Sequence, residues 1–505
     1  MSSKRNNSHS PHFQRKWGEA RSGRGAILAL ATVLSVGGYL LASSLKFRIG
    51  FPLDDAWIHQ TYARNLAEWG QWAFWQGQVS GGSTAPLWSA LLALGYWLKL
   101  SFYLWAFVLG GIFLWGLAFL GEYFLRKTVP AYRSKFPWAG IFLLGEWHLV
   151  WAATSGMETL LYAFLATLVL VLLALGKHNY LLLGALVGIS VWVRPGGVTL
   201  LGPVVVVALL SGENIKRIAR DLLNTALGFG IFLSLYLLFN LAITGTPYPN
   251  TFYAKQAEYA LLRELVPLWT RFLAEVQLPL IGAGALLLPG VLFFFWRALR
   301  RRDIGILVGG IWFLGYAAIY AWKLPVTYQH GRYMMPTMPI FFLWGLGGTL
   351  QLLADAHLTH WRKMGAFAWR TALVLIWFAF YILGAKSYAE DVAFIESEIV
   401  ATAYWVAENI PPDALIAAHD IGALGYFAGR ELVDLAGLVS PDVIEFMRNE
   451  EELILYLDER DVDYLVIFPS WYETLSEGLF LVYNTEGRFA PIIGGENMII
   501  YQWAR

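Results

Sequence analysis

Two adjacent carboxylates, Asp54 and Asp55, open the stretch LDDAWIHQTYARNLAEWG at 53–70, and His59 follows Asp55 at i, i+4 spacing on the same helical face. Farther along the chain come Glu158 in SGMET (155–159), Arg194 in RPGG (194–197), and Asn250, Tyr253 and Lys255 in PNTFYAK (249–255). QHGRYMMP (329–336) adds His330, Arg332 and Tyr333. A carboxylate beside a hydroxyl serves as a general base. Arg, Lys, His and Tyr stabilise a departing phosphate. These residue types therefore suit group transfer from a phosphate-bearing donor. Asp54, Asp55 and His59 also offer ligands for a divalent cation, although nothing in their spacing demands one. No Walker-type glycine loop or HExxH motif is present. The chain has no Cys, which excludes disulfides and thiolate chemistry.

The elements that carry these residues are set by composition. Of 505 residues, 57 % are hydrophobic and 14 % charged, with a mean hydropathy of +0.51. Soluble chains carry about 25 % charged residues, so this reads as a polytopic helical membrane protein. The net charge of +1 gives no reason to expect a nucleic-acid partner. About eleven spans are expected, at 25–46, 102–125, 137–153, 157–176, 180–193, 196–211, 223–243, 276–297, 304–321, 336–353 and 369–386. The basic tail 1–24 and the short basic segments 126–136, 212–222 and 298–303 orient the chain N-in and C-out, because Lys and Arg concentrate on the inner side. The apolar stretch 86–98 is too short to cross and reads as an interfacial or re-entrant helix.

With the sides assigned this way, the outer loop 47–101 carries the acidic pair, and every cluster above falls on one membrane face. Ionisable groups at membrane depth are costly unless paired or facing water, so such a gathering points to a site. Asp54 or Asp55 is expected to cap a helix whose apolar face is Ile58, Tyr62, Leu66 and Trp69, lying along the membrane surface. The tail 387–505 changes character. Apolar strands at 414–418, 431–435 and 464–468, with helices at 388–409 and 450–460, predict a small α/β domain on the outer side.

The motifs LDDAWIHQTYARNLAEWG, VSGGSTAPLW (79–88), SGMET, RPGG, PNTFYAK, QHGRYMMP and HDIGALGYF…VDLAGL (419–438) resemble, in order and spacing, the GT-C superfamily of integral-membrane glycosyltransferases. The likeness covers nearly the whole chain and is nearest to protein-mannosyltransferase and terminal arabinofuranosyltransferase relatives. It implies an inverting hexosyl or pentosyl transfer from a polyprenyl-phosphate sugar to a glycan, lipid or protein acceptor, on the extracytoplasmic face of the cell membrane. It also implies an acidic base in the first outer loop. The leading acid, Asp54, is favoured as that base, with Asp55 binding acceptor or orienting the loop; the reverse order stays open. Arg194, Lys255, His330, Arg332 and Tyr333 would bind the donor phosphate, and His59, Glu158, Asn250 and Tyr253 would contact substrate. Gly196 stands where many similar chains carry an acid after Arg-Pro, so no sugar contact is expected there. His419-Asp420 reads as a strand-end turn rather than a second active site. A transporter of lipid-linked sugar and a non-catalytic glycan- or lipid-binding protein are the competing readings. The first would show internal repeats and a midplane polar site, and neither is visible in the sequence.

Overall fold

The computed structural model describes residues 11–354 and 359–503, with side chains from residue 23 onward. Residues 1–10 of the expected cytoplasmic tail 1–24, and residues 355–358, lie outside the described residues. Backbone N–H and C=O groups find no partner in lipid, so apolar runs close their hydrogen bonds within helices. Among the described residues seven helices are long and apolar enough to cross a membrane. They are Gly23–Lys46, Phe102–Thr128, Ile215–Thr244, Ala283–Arg301, Ile304–Lys323, Tyr328–Ala354 and His360–Asn409. The chain is a multi-pass membrane protein.

The four other expected spans are also helical but shorter. Three are the helices Thr159–Ala174, Tyr180–Val193 and Pro195–Ser211. The fourth, 137–153, is broken into Trp138–Leu144 and Trp147–Thr154. Glu146 makes the break: its carboxylate accepts from the Leu149 amide at 3.2 Å and from His148 Nδ1 at 2.8 Å, capping the second piece.

The loop 47–101 folds into the helix Asp55–Trp69, a small antiparallel hairpin of β1 (Ala73–Trp75) and β2 (Gln78–Val79), and the helix Pro86–Trp97. Gly70, at φ 67°, ends the first helix in the left-handed conformation that glycine adopts without strain. This helix is packed inside the protein on both its apolar and its polar face. Residues 56–63 and Asn65 are all buried, and only its C-terminal end, with Trp69, is exposed. The polar residues it buries have partners: Asn65 Nδ2 donates to the Ala73 and Phe74 carbonyls, and Tyr96 donates to Gln60. Tertiary partners, not lipid headgroups, cover its polar face.

The helix His360–Ile395 passes through a π turn at Glu396–Val400 into Ala401–Asn409, so the chain enters the C-terminal domain without a linker. Two buried acids of the π turn bolt the halves together. Glu396 pairs with Arg48 at 2.5 Å and accepts from Tyr103, while Glu398 accepts from Thr485, Asn497 and the Met498 amide. The domain itself is a five-stranded sheet of β3 (Leu415–Ala418), β4 (Glu431–Asp434), β5 (Tyr464–Ile467), β6 (Phe480–Asn484) and β7 (Ile499–Gln502), in the order β4-β3-β5-β7-β6. The first three are parallel, with Ala417 opposite both Val433 and Leu465. Their apolar runs are what parallel strands covered on both faces require. β7 runs antiparallel between β5 and β6. The helix Glu450–Glu459 covers one face through Leu453 and Leu457, and Asn449 caps it.

Candidate active site

Eight of the residues singled out from the sequence converge on two cavities that share a wall. One, of about 810 Å³, lies between the helical and C-terminal domains. Asp54, Asp55, Lys255 and Arg332 line it from the helical side, and Asp420 and Trp471 from the C-terminal domain. The second, of about 570 Å³, lies within the helical domain and is mostly apolar, with Val198, Phe252, Ile319 and Trp322 among its lining. Asp55, Ile58, Lys255, Arg332, Tyr333 and Leu438 face both.

An ion cluster sits at that junction. Arg332 Nη2 is 2.5 Å and Lys255 Nζ 3.7 Å from Asp55 Oδ2. Lys255 Nζ and Arg332 Nη2 also donate to the Tyr333 hydroxyl, at 2.9 and 3.2 Å. Burial pushes the Asp55 carboxyl up, but Arg332 and then Lys255 outweigh it and hold the group well below the usual carboxylate range. Arg332 Nε and Nη1 are buried with no partner among the described residues. The chain reaches this point through a strained turn: Gln329 and His330 are left-handed at φ 53° and 59°, followed by Gly331 at 69°. Each non-glycine residue held so costs roughly 1–2 kcal/mol. The turn reverses the backbone immediately before Arg332.

Asp54 occupies the N-cap position of the helix Asp55–Trp69, yet neither acid caps that helix with its side chain. Instead the Asp54 carboxylate accepts from the Gly422 amide at 2.7 Å and the Ala423 amide at 2.8 Å, both in the C-terminal domain. Burial raises its pKa to about 7, against those two hydrogen bonds and with help from the negative charges of Asp55 and Asp434. Asp420 is held well above the usual range by burial and by Asp54 and Asp55. Position 422 has to be glycine for this contact, since a Cβ there would sit 2.2 Å from the Asp54 carbonyl oxygen. Gly422→Ala is expected to cost about 1–3 kcal/mol of stability through forced displacement of Asp54, read as a lowered thermal unfolding midpoint.

Behind the ion cluster lies a second, fully buried row. Arg194 Nε donates to Glu158 Oε1 at 2.6 Å, and His59 Nε2 approaches Glu158 Oε2 at 3.4 Å. His59 Nδ1 meets Ser89 Oγ at 3.0 Å and Ser83 Oγ at 3.3 Å, which ties the SGGST loop to the acidic helix. The Arg194 guanidinium stands 5.0 Å from the Tyr333 ring centroid.

Solved structures share this architecture. ArnT from Cupriavidus metallidurans in the apo state superposes with a TM-score of 0.57 at 15 % identity, over 94 % of this chain and 97 % of that one. The same protein bound to undecaprenyl phosphate gives 0.56 at 14 % identity, over 94 % and 98 %. The Archaeoglobus fulgidus oligosaccharyltransferase in the apo form gives 0.60 at 12 % identity, over 88 % of this chain and 69 % of that one. The chain has the GT-C fold. Residues 387–501 match a family described as a domain of unknown function, DUF8728. No curated protein matches the sequence.

Within this GT-C fold, the expected site residues divide. Asp54, Asp55, His59, Glu158, Arg194, Lys255, Arg332 and Tyr333 line one or both cavities. His330 does not: its Nε2 lies 2.7 Å from Asp391 Oδ2, and its ring packs edge-on against Trp147 and Trp151. Asn250 and Tyr253 lie on the same helix as Lys255 but line neither cavity. The acidic pair and His59 diverge toward different partners, and among the described residues no three His, Asp or Glu side chains gather as a metal site. Asp391 and Asp420 are among the cavity residues that the sequence reading did not place in the site. Asp391 sits in a helical run that reads as scaffold. Asp420 does follow a strand, as expected, but at the C-terminal end of a parallel strand, where open α/β sheets present ligand sites.

Proposed function

We propose that the protein is an inverting glycosyltransferase that moves a sugar from a polyprenyl-phosphate donor to an acceptor hydroxyl on the extracytoplasmic face of the cell membrane. The observation that carries this reading is the junction itself. An apolar cavity suited to an isoprenoid chain and a polar cavity suited to an acceptor meet at Asp55, Lys255, Arg332 and Tyr333. ArnT, of the same fold, has been solved with undecaprenyl phosphate bound.

In this reading Asp54 is the base. It faces the polar cavity, and a pKa near 7 suits a group that must accept a proton at neutral pH. It takes the proton of the acceptor hydroxyl as that oxygen attacks the anomeric carbon from the face opposite the phosphate. The anomeric C–O bond breaks, and its electron pair leaves with the phosphate oxygen. Arg332 and Lys255 neutralise that charge, and the unused Arg332 donors add hydrogen-bonding capacity. Asp55, ionised throughout, keeps both cations in place when no donor is bound. Glu158 orients Arg194 and His59 behind them.

The purified protein in lipid nanodiscs, supplied with a panel of polyprenyl-phosphate sugars together with glycan, lipid and peptide acceptors, is expected to release polyprenyl phosphate from one donor and to glycosylate one acceptor. Movement of donor between leaflets of a proteoliposome without bond cleavage would replace this reading with transport.

A further inference from the structure

The polar cavity is half built by the domain of unknown function, and its chemistry there differs from the helical side. Trp471 ends a short 3₁₀ turn, Pro469–Trp471, and is 52 % exposed although it lies in a concavity. Its indole is braced by the His419 ring edge-on at 4.9 Å and by the Phe468 ring at 5.3 Å, which leaves the remaining surface open. His419 is held in turn by the Tyr472 hydroxyl at 2.7 Å from Nδ1. Burial and then the charge of Arg448 lower the His419 pKa to about 4, so the imidazole bracing the indole is neutral.

Charged and titratable groups line the same cavity. Asp420 lines the cavity with no hydrogen bond or ion pair among the described residues. Glu450 lines the cavity and accepts the Leu475 amide on Oε2 at 2.6 Å. Arg448 is exposed beside them.

An open aromatic face in a cavity that also carries carboxyl groups is chemically specific. A sugar ring has one face of C–H bonds, which packs on an indole. Its rim of hydroxyls donates to carboxylates and accepts from guanidinium. The cavity of about 810 Å³ has room for more than one ring. We propose that Trp471, Asp420, Glu450 and Arg448 form a glycan-binding subsite through which the C-terminal domain holds a carbohydrate acceptor. Its role as the acceptor subsite rests on the glycosyltransferase reading; its capacity to bind sugar does not.

The test is made without donor. Saturation-transfer-difference NMR is recorded on the full chain in lipid nanodiscs, free of glycoside detergents. The probes are methyl glycosides of glucose, galactose, mannose and arabinose, and a Ser/Thr-containing peptide. At least one glycoside is expected to receive saturation at its ring C–H protons. Trp471→Ala is expected to weaken that binding roughly tenfold, and Asp420→Asn to weaken it with the ring contact retained. Trp471 is exposed, so its replacement leaves the fold intact, which a thermal unfolding curve verifies. Absence of glycoside binding, equal binding in Trp471→Ala, or saturation of the peptide alone would overturn the subsite. Glycoside binding without release of polyprenyl phosphate from any donor would instead overturn the catalytic reading and leave the subsite standing.

Discussion

Asp54→Asn is expected to lower the transfer rate by roughly 10²–10⁴-fold with donor binding retained, the loss that follows removal of a positioned general base. The substitution nearly preserves shape. It also turns an amide NH₂ toward one of the two backbone donors, Gly422 or Ala423, which now meet carboxylate oxygens. That lost hydrogen bond costs about 1–3 kcal/mol of stability, so unfolding is measured beside activity. The pH dependence separates chemistry from structure. With its pKa raised to about 7, Asp54 is largely protonated below that value and cannot accept a proton. The kcat/KM of the wild-type enzyme should therefore rise with pH to about 7 and then level off, and the residual activity of the variant should lack this step. The stability term runs the other way. A folded pKa above the unfolded one contributes stability that is full below the ordinary carboxyl range and is lost as pH rises through about 7. Full activity in Asp54→Asn would remove Asp54 as the base.

Arg332→Met is expected to do the greatest damage to donor binding and to the fold together. Arg332 is buried, and it supplies the closest counter-charge to Asp55. Removing one partner of such a pair costs about 3–5 kcal/mol, because the carboxylate is left with little compensation; here Lys255 stays 3.7 Å away and keeps the cost toward the lower end. The double variant Asp55→Asn with Arg332→Met should recover most of the lost stability, since neither charge is then stranded. It should not recover donor binding, since the guanidinium proposed to meet the phosphate is absent. Thermal unfolding and competition by polyprenyl phosphate measure the two effects. Wild-type affinity for polyprenyl phosphate in Arg332→Met would sink the phosphate assignment.

The strained turn at Gln329 and His330 belongs to the same argument. A backbone conformation this costly persists only where the surrounding structure over-determines it. Here it sits two residues before Arg332, the closest counter-charge to Asp55.

Sequence by itself determined the membrane helices, the α/β character of the tail and most of the ion cluster. The physical reasons are local. Apolar runs have to become helices in lipid, parallel strands read as continuous apolar runs, and charged residues beside such runs are too costly to be idle. Tertiary structure alone decided what each charge does. Asp54 and Asp55 are adjacent and chemically identical, yet one is pushed up to about 7 by burial and the other held low by Arg332 and Lys255. No local rule separates them, because the deciding groups are hundreds of residues away in the chain. The same holds for the Gly422 and Ala423 amides that take Asp54 away from its own helix, and for His330, which looks like a phosphate ligand in sequence and is taken by Asp391 in space. The polar wall opposite the acids comes from strands and turns whose residues become a site only when the C-terminal domain closes over the helical one.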